Sequence, residues 1–369
     1  MEASDDFMYN YSANFTLQGA WRLDKDDLDA LLYSERDVIL VTIVMPIVFT
    51  IGILGNSLVV YVFARVREMQ TVTNYFLVNL AVADMLFLLS VVPPKLIQYY
   101  STPFPIQEDW SSLGDWGCTI ISYPSAVAIT ASSITIVLLA FEKFVAVRWP
   151  FRFKTLRTKP KAIVACTSVW IVSAIYSFPE IYILRLSKHE LSWPSPWNNT
   201  RVPTTLHICI HSCTPDGGCA PYDAYYMFDR VVLILVVPLL AFLYLLTLIH
   251  LRERAGTGTS TASVRAKKQV VRMLIATTLI YLICVTPFRF VTLFQTLHDV
   301  NMSPETFPIL LHVSRVLMYI NSAINPAIYN VLNERYRRAF REALCSFRVE
   351  RQRHITQTCR YTPTPTTQA

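Results

Sequence analysis

Charge is scarce in this 369-residue chain: Asp, Glu, Lys and Arg make up 16% of it, against 53% hydrophobic residues. That shortage excludes a set of ordinary water-facing domains, which need more polar surface than this composition supplies. Paired metal-ligand spacing is missing too. His207 and His211 stand four apart, but that spacing converges on a metal only on a helix, and the cysteines around them argue against one. No cluster of nucleophile, base and oxyanion donors marks an enzyme. Internal repeats and a mirrored pair of interrupted hydrophobic segments are also lacking, which argues against a transporter. Neither a chromophore-anchoring lysine signature nor an acidic proton relay points to a pump, and no feature points to nucleic acid. No apolar stretch with a basic leader precedes residue 38, so the first hydrophobic segment is expected to direct its own insertion.

What is abundant is apolar sequence in long blocks. Seven approach or exceed the ~20 residues that cross ~30 Å of hydrocarbon as a helix: Val38 to Phe63, Tyr75 to Pro94, Cys118 to Phe141, Ala162 to Pro179, Val231 to Ile249, Met273 to Leu297 and Phe307 to Ile328. The first has no charge and the second only Asp84. If the amino terminus is outside, 23 of the 33 Lys and Arg fall in the inner loops and tail, as the positive-inside rule requires. The sequons at Asn10, Asn14 and Asn198 then all lie outside and are expected to carry glycans.

The expected organisation is an all-α membrane protein in four parts. Residues 1–37 form an acidic extracellular tail, 38–332 a seven-helix bundle, 333–347 an amphipathic eighth helix on the inner leaflet, and 348–369 a cytoplasmic tail. The eighth helix is read from Tyr336, Phe340, Leu344 and Phe347, spaced by three and four among arginines, with Cys345 as a palmitoylation candidate. The tail threonines suit phosphorylation and arrestin binding. Four cysteines fall outside, at 118, 209, 213 and 219, which allows three pairings. Cys213-Thr-Pro-Asp-Gly-Gly-Cys219 contains a turn that a local bridge could close, which would leave Cys209 for Cys118.

A series of motifs in order carries a family resemblance: Gly55-Asn56, Leu80-Ala81-Val82-Ala83-Asp84, Glu142-Lys143 placed 25 residues after Cys118, Trp170, Pro238, Cys284-Val285-Thr286-Pro287 and Asn325-Pro326-Ala327-Ile328-Tyr329. With this series the chain resembles the rhodopsin-like (class A) G protein-coupled receptors over roughly residues 38–347. The resemblance implies a plasma-membrane receptor that signals through a heterotrimeric G protein by movement of the sixth helix about Pro287. Glu142, Lys143, Asn325, Pro326 and Tyr329 would take part in that switch. It also implies a sodium pocket at Asp84, Ser132, Asn321, Ser322 and Asn325, whose oxygens suit a hard cation; sodium is the one cofactor-like ion expected. The stretch Met69 to Leu80 looks like neuropeptide receptors, and a long cysteine-bearing loop suits a hairpin lid over a peptide.

Three positions depart from the family pattern. Lys143 stands where an arginine is usual, Val285 where many members have tryptophan, and Leu246 where a tyrosine is common. Lys keeps the charge but loses the planar five-donor fork. An atypical receptor with weak coupling is therefore a second reading. Ser125 occupies the place where amine receptors carry an aspartate, so an amine ligand is not expected. Charged groups in the outward helix halves are candidate ligand contacts: Arg230, Arg289 and Arg315, with Glu180 beside them and Lys95 and His312 near the rim. They suit a ligand with an anionic end, including a small carboxylate as a further alternative. Pairing of the arginines with Asp229 or Glu180 is the structural reading of the same residues.

Overall fold

A computed structural model of the protein describes residues 21–22, 32–101, 109, 111–149, 151, 153, 158–192, 204–211, 220–255, 261–297 and 306–343. Asn10, Asn14, Asn198, Cys213, Cys219, Cys345 and the tail threonines lie outside the described residues.

All seven apolar blocks are helical: α1 (Glu35–Arg65), α2 (Val72–Ser101), α3 (Gly117–Arg148), α4 (Lys159–Ser177, followed by a short turn at Glu180–Ile183), α5 (Ala220–Ala255), α6 (Thr261–Leu297) and α7 (Thr306–Leu332). Most run past the block that announced them. An apolar run measures only the hydrocarbon thickness, whereas backbone hydrogen bonding continues through polar flanks. At the start of α1 the cause is local. Ser34 accepts from the Asp37 amide, and its own amide donates to Asp37 Oδ2 at 3.1 Å, a reciprocal capping box that starts the helix at Glu35 rather than 38.

Among the described residues, six of these helices are long and apolar enough to cross a membrane. α7 has the length, 27 residues, but His312, Arg315, Asn321, Ser322 and Asn325 dilute its apolar content. The bundle buries polar groups among its apolar core and turns apolar residues outward. Asn56, Asp84, Thr135, Ser173, Asn321 and Asn325 are buried, while Ile39, Ile43, Ile47, Ile51 and Leu54 form an exposed stripe along α1. Such a surface is stable against lipid and unstable against water.

Side-chain hydrogen bonds tie the helices at mid-depth. Asn56 donates to the Gly52 and Ser322 carbonyls at 2.9 and 2.8 Å, joining α1 to α7. Trp170 Nε1 donates to Asn79 Oδ1 and Asn79 Nδ2 to Thr135 Oγ1, both at 2.8 Å, joining α4, α2 and α3. Gly52 suits this packing: an added Cβ would press on the Leu88 side chain and come within 3.2 Å of Ala323 Cβ, so its neighbours would have to shift.

Between α4 and α5 the chain forms a hairpin. With β1 (Trp21–Arg22), strands β2 (Leu184–Ser192) and β3 (Thr205–His211) make a three-stranded sheet in the order β1-β2-β3. β2 and β3 are antiparallel and β1 is parallel to β2, Trp21 opposite Leu191. Part of the amino-terminal segment, expected to be an untethered tail, is thus paired to the hairpin. His207 and His211 lie on a strand, where four residues span ~13 Å, too far to share a metal. Beyond Asn333, residues 334–343 are helical again, with Tyr336, Ala339, Phe340 and Ala343 buried. Tyr336 Oη donates to Asn74 Oδ1 of α2 at 3.1 Å.

Candidate functional site

The hairpin caps one end of the bundle because it is fastened there twice. Cys209 of β3 forms a disulfide with Cys118 at the head of α3. Two residues earlier, the His207 amide donates to the buried Asp109 Oδ1 at 3.3 Å. Leu206 and Ile208 of β3 are buried. Burial, and then the neighbouring His207, lower the His189 imidazole below its ordinary pKa of 6.5.

Beneath the hairpin, α4, α5 and α6 bring together four of the charges singled out in the sequence. Arg289 Nη1 lies 2.8 Å from Asp229 Oδ2, both side chains being 13% exposed. Tyr176 donates to Asp229 Oδ1 at 3.1 Å and Tyr226 to Glu180 Oε2 at 2.8 Å. The Arg230 guanidinium sits over the Tyr226 ring, 5.5 Å from its centroid. The structure therefore pairs Arg289 with Asp229, the structural alternative among the two sequence readings. The tyrosines had no sequence signal, since only the fold brings 176 and 226 to these carboxylates.

A second group sits between α1, α2 and α7. His312 Nδ1 is 3.3 Å from Asp37 Oδ1, and Lys95 Nζ lies 5.6 Å from the centroid of the Tyr33 ring, whose hydroxyl donates to Gln98. Arg315 is half-buried one turn along α7 from His312. Ser125 is half-buried on α3 and donates to the Ser122 carbonyl at 2.9 Å.

At the bundle centre Asp84 is buried and accepts from Asn325 Nδ2 at 2.8 Å. A cavity of ≈ 20 Å³ beside it is lined by Asp84, Ser132, Tyr281, Val285, Asn321 and Ser322, room for one water-sized guest. Among the described residues, Ser132 Oγ and Asn325 Oδ1 have no hydrogen-bond partner. Carboxylate, hydroxyl and amide groups around this small void, the unsatisfied Ser132 hydroxyl among them, fit a hard cation such as sodium. Pro287, inside α6, lies two residues beyond Val285. Tyr329 is fully buried, its ring 5.5 Å from that of Tyr336.

At the end opposite the hairpin, Glu142 and Lys143 are both buried and closed onto α2. Lys143 Nζ lies 2.8 Å from Glu142 Oε2 and donates to Thr73 Oγ1, whose hydroxyl lies 2.9 and 3.0 Å from the two Glu142 oxygens. Phe144 packs edge-on against Trp149 and against His250 of α5. Although Leu246 is not a tyrosine, Tyr244 two residues away joins α5 to α6 by a 2.9 Å bond to Thr278.

Helices that bury amides and carboxylates and turn isoleucines outward are those of a multi-pass membrane protein, and this chain is one, a seven-helix bundle. Residues 55–329 match the family described as 7 transmembrane receptor (rhodopsin family), and the chain belongs to that family. Its members are receptors, not enzymes. The chain is 29% identical to the allatostatin-A receptor of Bombyx mori over 353 residues, covering 93% of this chain and 91% of the relative. It is 30% identical to neuromedin-U receptor 2 of Mus musculus over 312 residues, 82% of this chain and 75% of the relative. It is 26% identical to the QRFP-like peptide receptor of Branchiostoma floridae over 302 residues, 80% of this chain and 74% of the relative. Within its family the chain is thus of the neuropeptide-receptor type.

Proposed function

We propose that this chain is a plasma-membrane receptor, amino terminus outside, that binds an extracellular neuropeptide and activates a heterotrimeric G protein through movement of α6 about Pro287. The observation that carries this reading is the doubly fastened β-hairpin over a bundle end rich in charge and tyrosine, in a chain related to peptide receptors. A fastened lid suits an extended peptide, which can meet its strands and the helix ends below. Lys95, Ser125, Glu180, Arg230, Arg289, His312 and Arg315 would line the ligand's path. Partner charges lie beside them in Asp229 and Asp37, so the peptide would bind by exchanging ion pairs rather than by meeting bare cations. That weighs against a small carboxylate as the whole ligand.

Asp84, Ser132, Asn321, Ser322 and Asn325 would hold sodium, whose charge would offset that of the buried carboxylate. The arginine-rich helix at 334–343 would lie on the inner leaflet as an amphipathic element, and the tail beyond it would recruit arrestin. The test is a peptide panel of allatostatin-A, neuromedin-U and QRFP types on cells expressing the full chain, read by second messengers and arrestin recruitment. A saturable response to at least one peptide class is expected. A response only to amines or small carboxylates would overturn the peptide reading.

The closed Glu142, Lys143 and Thr73 triad supports a second reading, weak coupling. A compact ammonium satisfied by two neighbours on the bundle wall lacks the fork with which a guanidinium stacks and bonds at once. Lys143→Arg is expected to raise agonist-stimulated nucleotide exchange severalfold at equal surface density. An unchanged or lower rate would make the lysine a tolerated variation and leave coupling conventional.

A further inference from the structure

The outward tip of α1 is built differently from the rest of the helix. Pro46 has no N–H to give the Thr42 carbonyl, and over Leu40–Val44 the backbone opens into a π-turn in which the Met45 amide reaches back to the Leu40 carbonyl. Asp37, Val41 and Met45 are all buried. Residues spaced four and four drift ~80° around an unbroken α-helix; the wider turn takes up that drift and keeps Asp37 on the inner side.

The tip so aimed covers part of the site described above. The Ser34 amide and hydroxyl donate to Asp37 Oδ2 at 3.1 and 2.6 Å, which leaves Oδ1 to His312 Nδ1 of α7 at 3.3 Å. Tyr33, the residue before this cap, sits on α2. Its ring centroid lies 5.6 Å from Lys95 Nζ and 5.2 Å from that of Tyr99, and its hydroxyl donates to Gln98 Oε1 at 3.3 Å. Gln98 is buried beneath it, and among the described residues Gln98 Nε2 has no hydrogen-bond partner. A buried donor without an acceptor is costly, so the tip covers a group that a ligand carbonyl would satisfy better. Lys95 and His312, both expected to meet ligand, are thus engaged by the chain's own residues 33 and 37.

The contact between Asp37 and His312 is the part of this cover that titrates near neutrality, since imidazole changes charge between about pH 5 and 8. Protons reach it, because the His312 side chain is 27% exposed. The other charged groups on the elements packed around His312 are Lys95 on α2, Arg315 one turn along α7, exposed Glu35 and Arg36 on α1, and Arg289 on α6, which is paired with Asp229; Tyr33 and Tyr99 are the phenols beside them. Lys95 and Arg315 oppose charging of the imidazole, while Asp37, in contact with it, favours it.

We propose that Asp37 and His312 form a proton-operated clasp: in mild acid the charged imidazole holds the tip of α1 onto α7, and Tyr33 then closes over Lys95 and Gln98 on that side of the ligand path. Rising pH discharges the imidazole, weakens the contact and lets the tip swing about the π-turn. The clasp rests on the proposed function only in placing Lys95 on the ligand path; its closing and opening need no ligand.

The test uses the full-length receptor in phosphatidylcholine nanodiscs without ligand, with Gln98→Cys as a reporter beneath the cover in every form compared. A water-soluble methanethiosulfonate modifies residue 98 when the tip opens, and peptide mass spectrometry reads that rate apart from Cys166 and Cys284. Comparing forms at one pH cancels the reactivity of the thiol itself. At about pH 5.5, His312→Gln is expected to speed modification about tenfold, the weight of one charged hydrogen bond, and at about pH 7.5 by less than about threefold. Asp37→Asn should speed it likewise, and adding His312→Gln to that variant should change nothing further at either pH. Melting temperature gives a second reading, because a contact made by the charged imidazole stabilises the parent over His312→Gln more at the lower pH. The same ratio of rates at both pH values would overturn the clasp, as would a larger ratio at the higher one. So would an effect of His312→Gln that persists in the Asp37→Asn background. A receptor that answers no peptide would leave these ratios unchanged, and one that answers peptides without showing them would lose the clasp alone.

Discussion

Arg289→Gln is expected to remove most folded receptor from the cell surface, and Asp229→Asn introduced beside it is expected to restore it. The pair is 2.8 Å apart with both side chains only 13% exposed. Deleting the guanidinium leaves the Asp229 carboxylate in a low-dielectric setting, supported by the 3.1 Å Tyr176 hydrogen bond. Loss of one partner of a buried pair costs about 3–5 kcal/mol, chiefly the penalty of the stranded charge, whereas neutralising both is often nearly free. Receptor abundance and thermal stability in detergent read this directly. A side chain that served the ligand alone would behave differently: the single variant would reach the surface normally and lose affinity, and the second substitution would not restore it. Normal expression of Arg289→Gln with weakened peptide binding would leave Arg289 its place on the ligand's path and remove it from the framework.

That ambiguity shows where sequence reading stops. The seven helices were legible because hydrocarbon imposes a length and a composition on anything that crosses it. Their ends were not, because nothing apolar is needed beyond the lipid. Even so, Ser34-Glu35-Arg36-Asp37 has the spacing of a capping box and could have placed the start of α1. The alternation in Thr205 to His211, with Leu206, Ile208 and Ile210 on one side, likewise announces a strand, and the hairpin was expected as a lid. Pairings over long separations were the real loss. Arg289 had Asp229 and Glu180 as equally plausible partners, 60 and 109 positions away, and spacing cannot choose between them. Tyr176, Tyr226 and Asp109 carry no local mark at all, since a tyrosine in an apolar helix most often packs. In the polar core, by contrast, Asp84 was conspicuous as the lone charge of its block, and the structure does place Asn325 against it.

The opposite end of the bundle teaches a related point about substitutions within a motif. Glu142 and Lys143 are neighbours in sequence, so their ion pair could be guessed, but its closure by Thr73 required knowing that α2 faces α3 at that height. The triad spends the lysine's charge locally, which is why the coupling prediction concerns geometry and not net charge. It also predicts no change in peptide affinity for Lys143→Arg, in contrast to the variants at the hairpin.

Cys118→Ser is expected to cost at least about thirtyfold in peptide affinity, and Cys209→Ser to cost the same. The bond joins residues 91 apart and fixes the middle of β3 to the head of α3. A native disulfide closing a long loop is worth about 2–5 kcal/mol, largely as disorder denied to the untethered chain. Here that disorder would belong to the lid, and a peptide would have to order it on binding, so the cost appears in affinity. The hairpin would not fall away entirely, because β2 continues from the Glu180–Ile183 turn and the Asp109 bond to the His207 amide remains. The two single variants and their double should therefore be indistinguishable, as all three lose one and the same bond. Asp109→Ala, removing the weaker fastening alone, should cost about 1 kcal/mol, but combined with Cys118→Ser it should abolish binding altogether. Binding of labelled peptide to surface-counted receptor measures all of these. Cys166→Ser, at a free cysteine on α4, controls for the loss of a thiol as such and should bind as the parent does. If Cys118→Ser reaches the surface and binds with parental affinity, the hairpin is held by β2 and Asp109 without help from the bridge, and the lid plays no part in ordering the ligand.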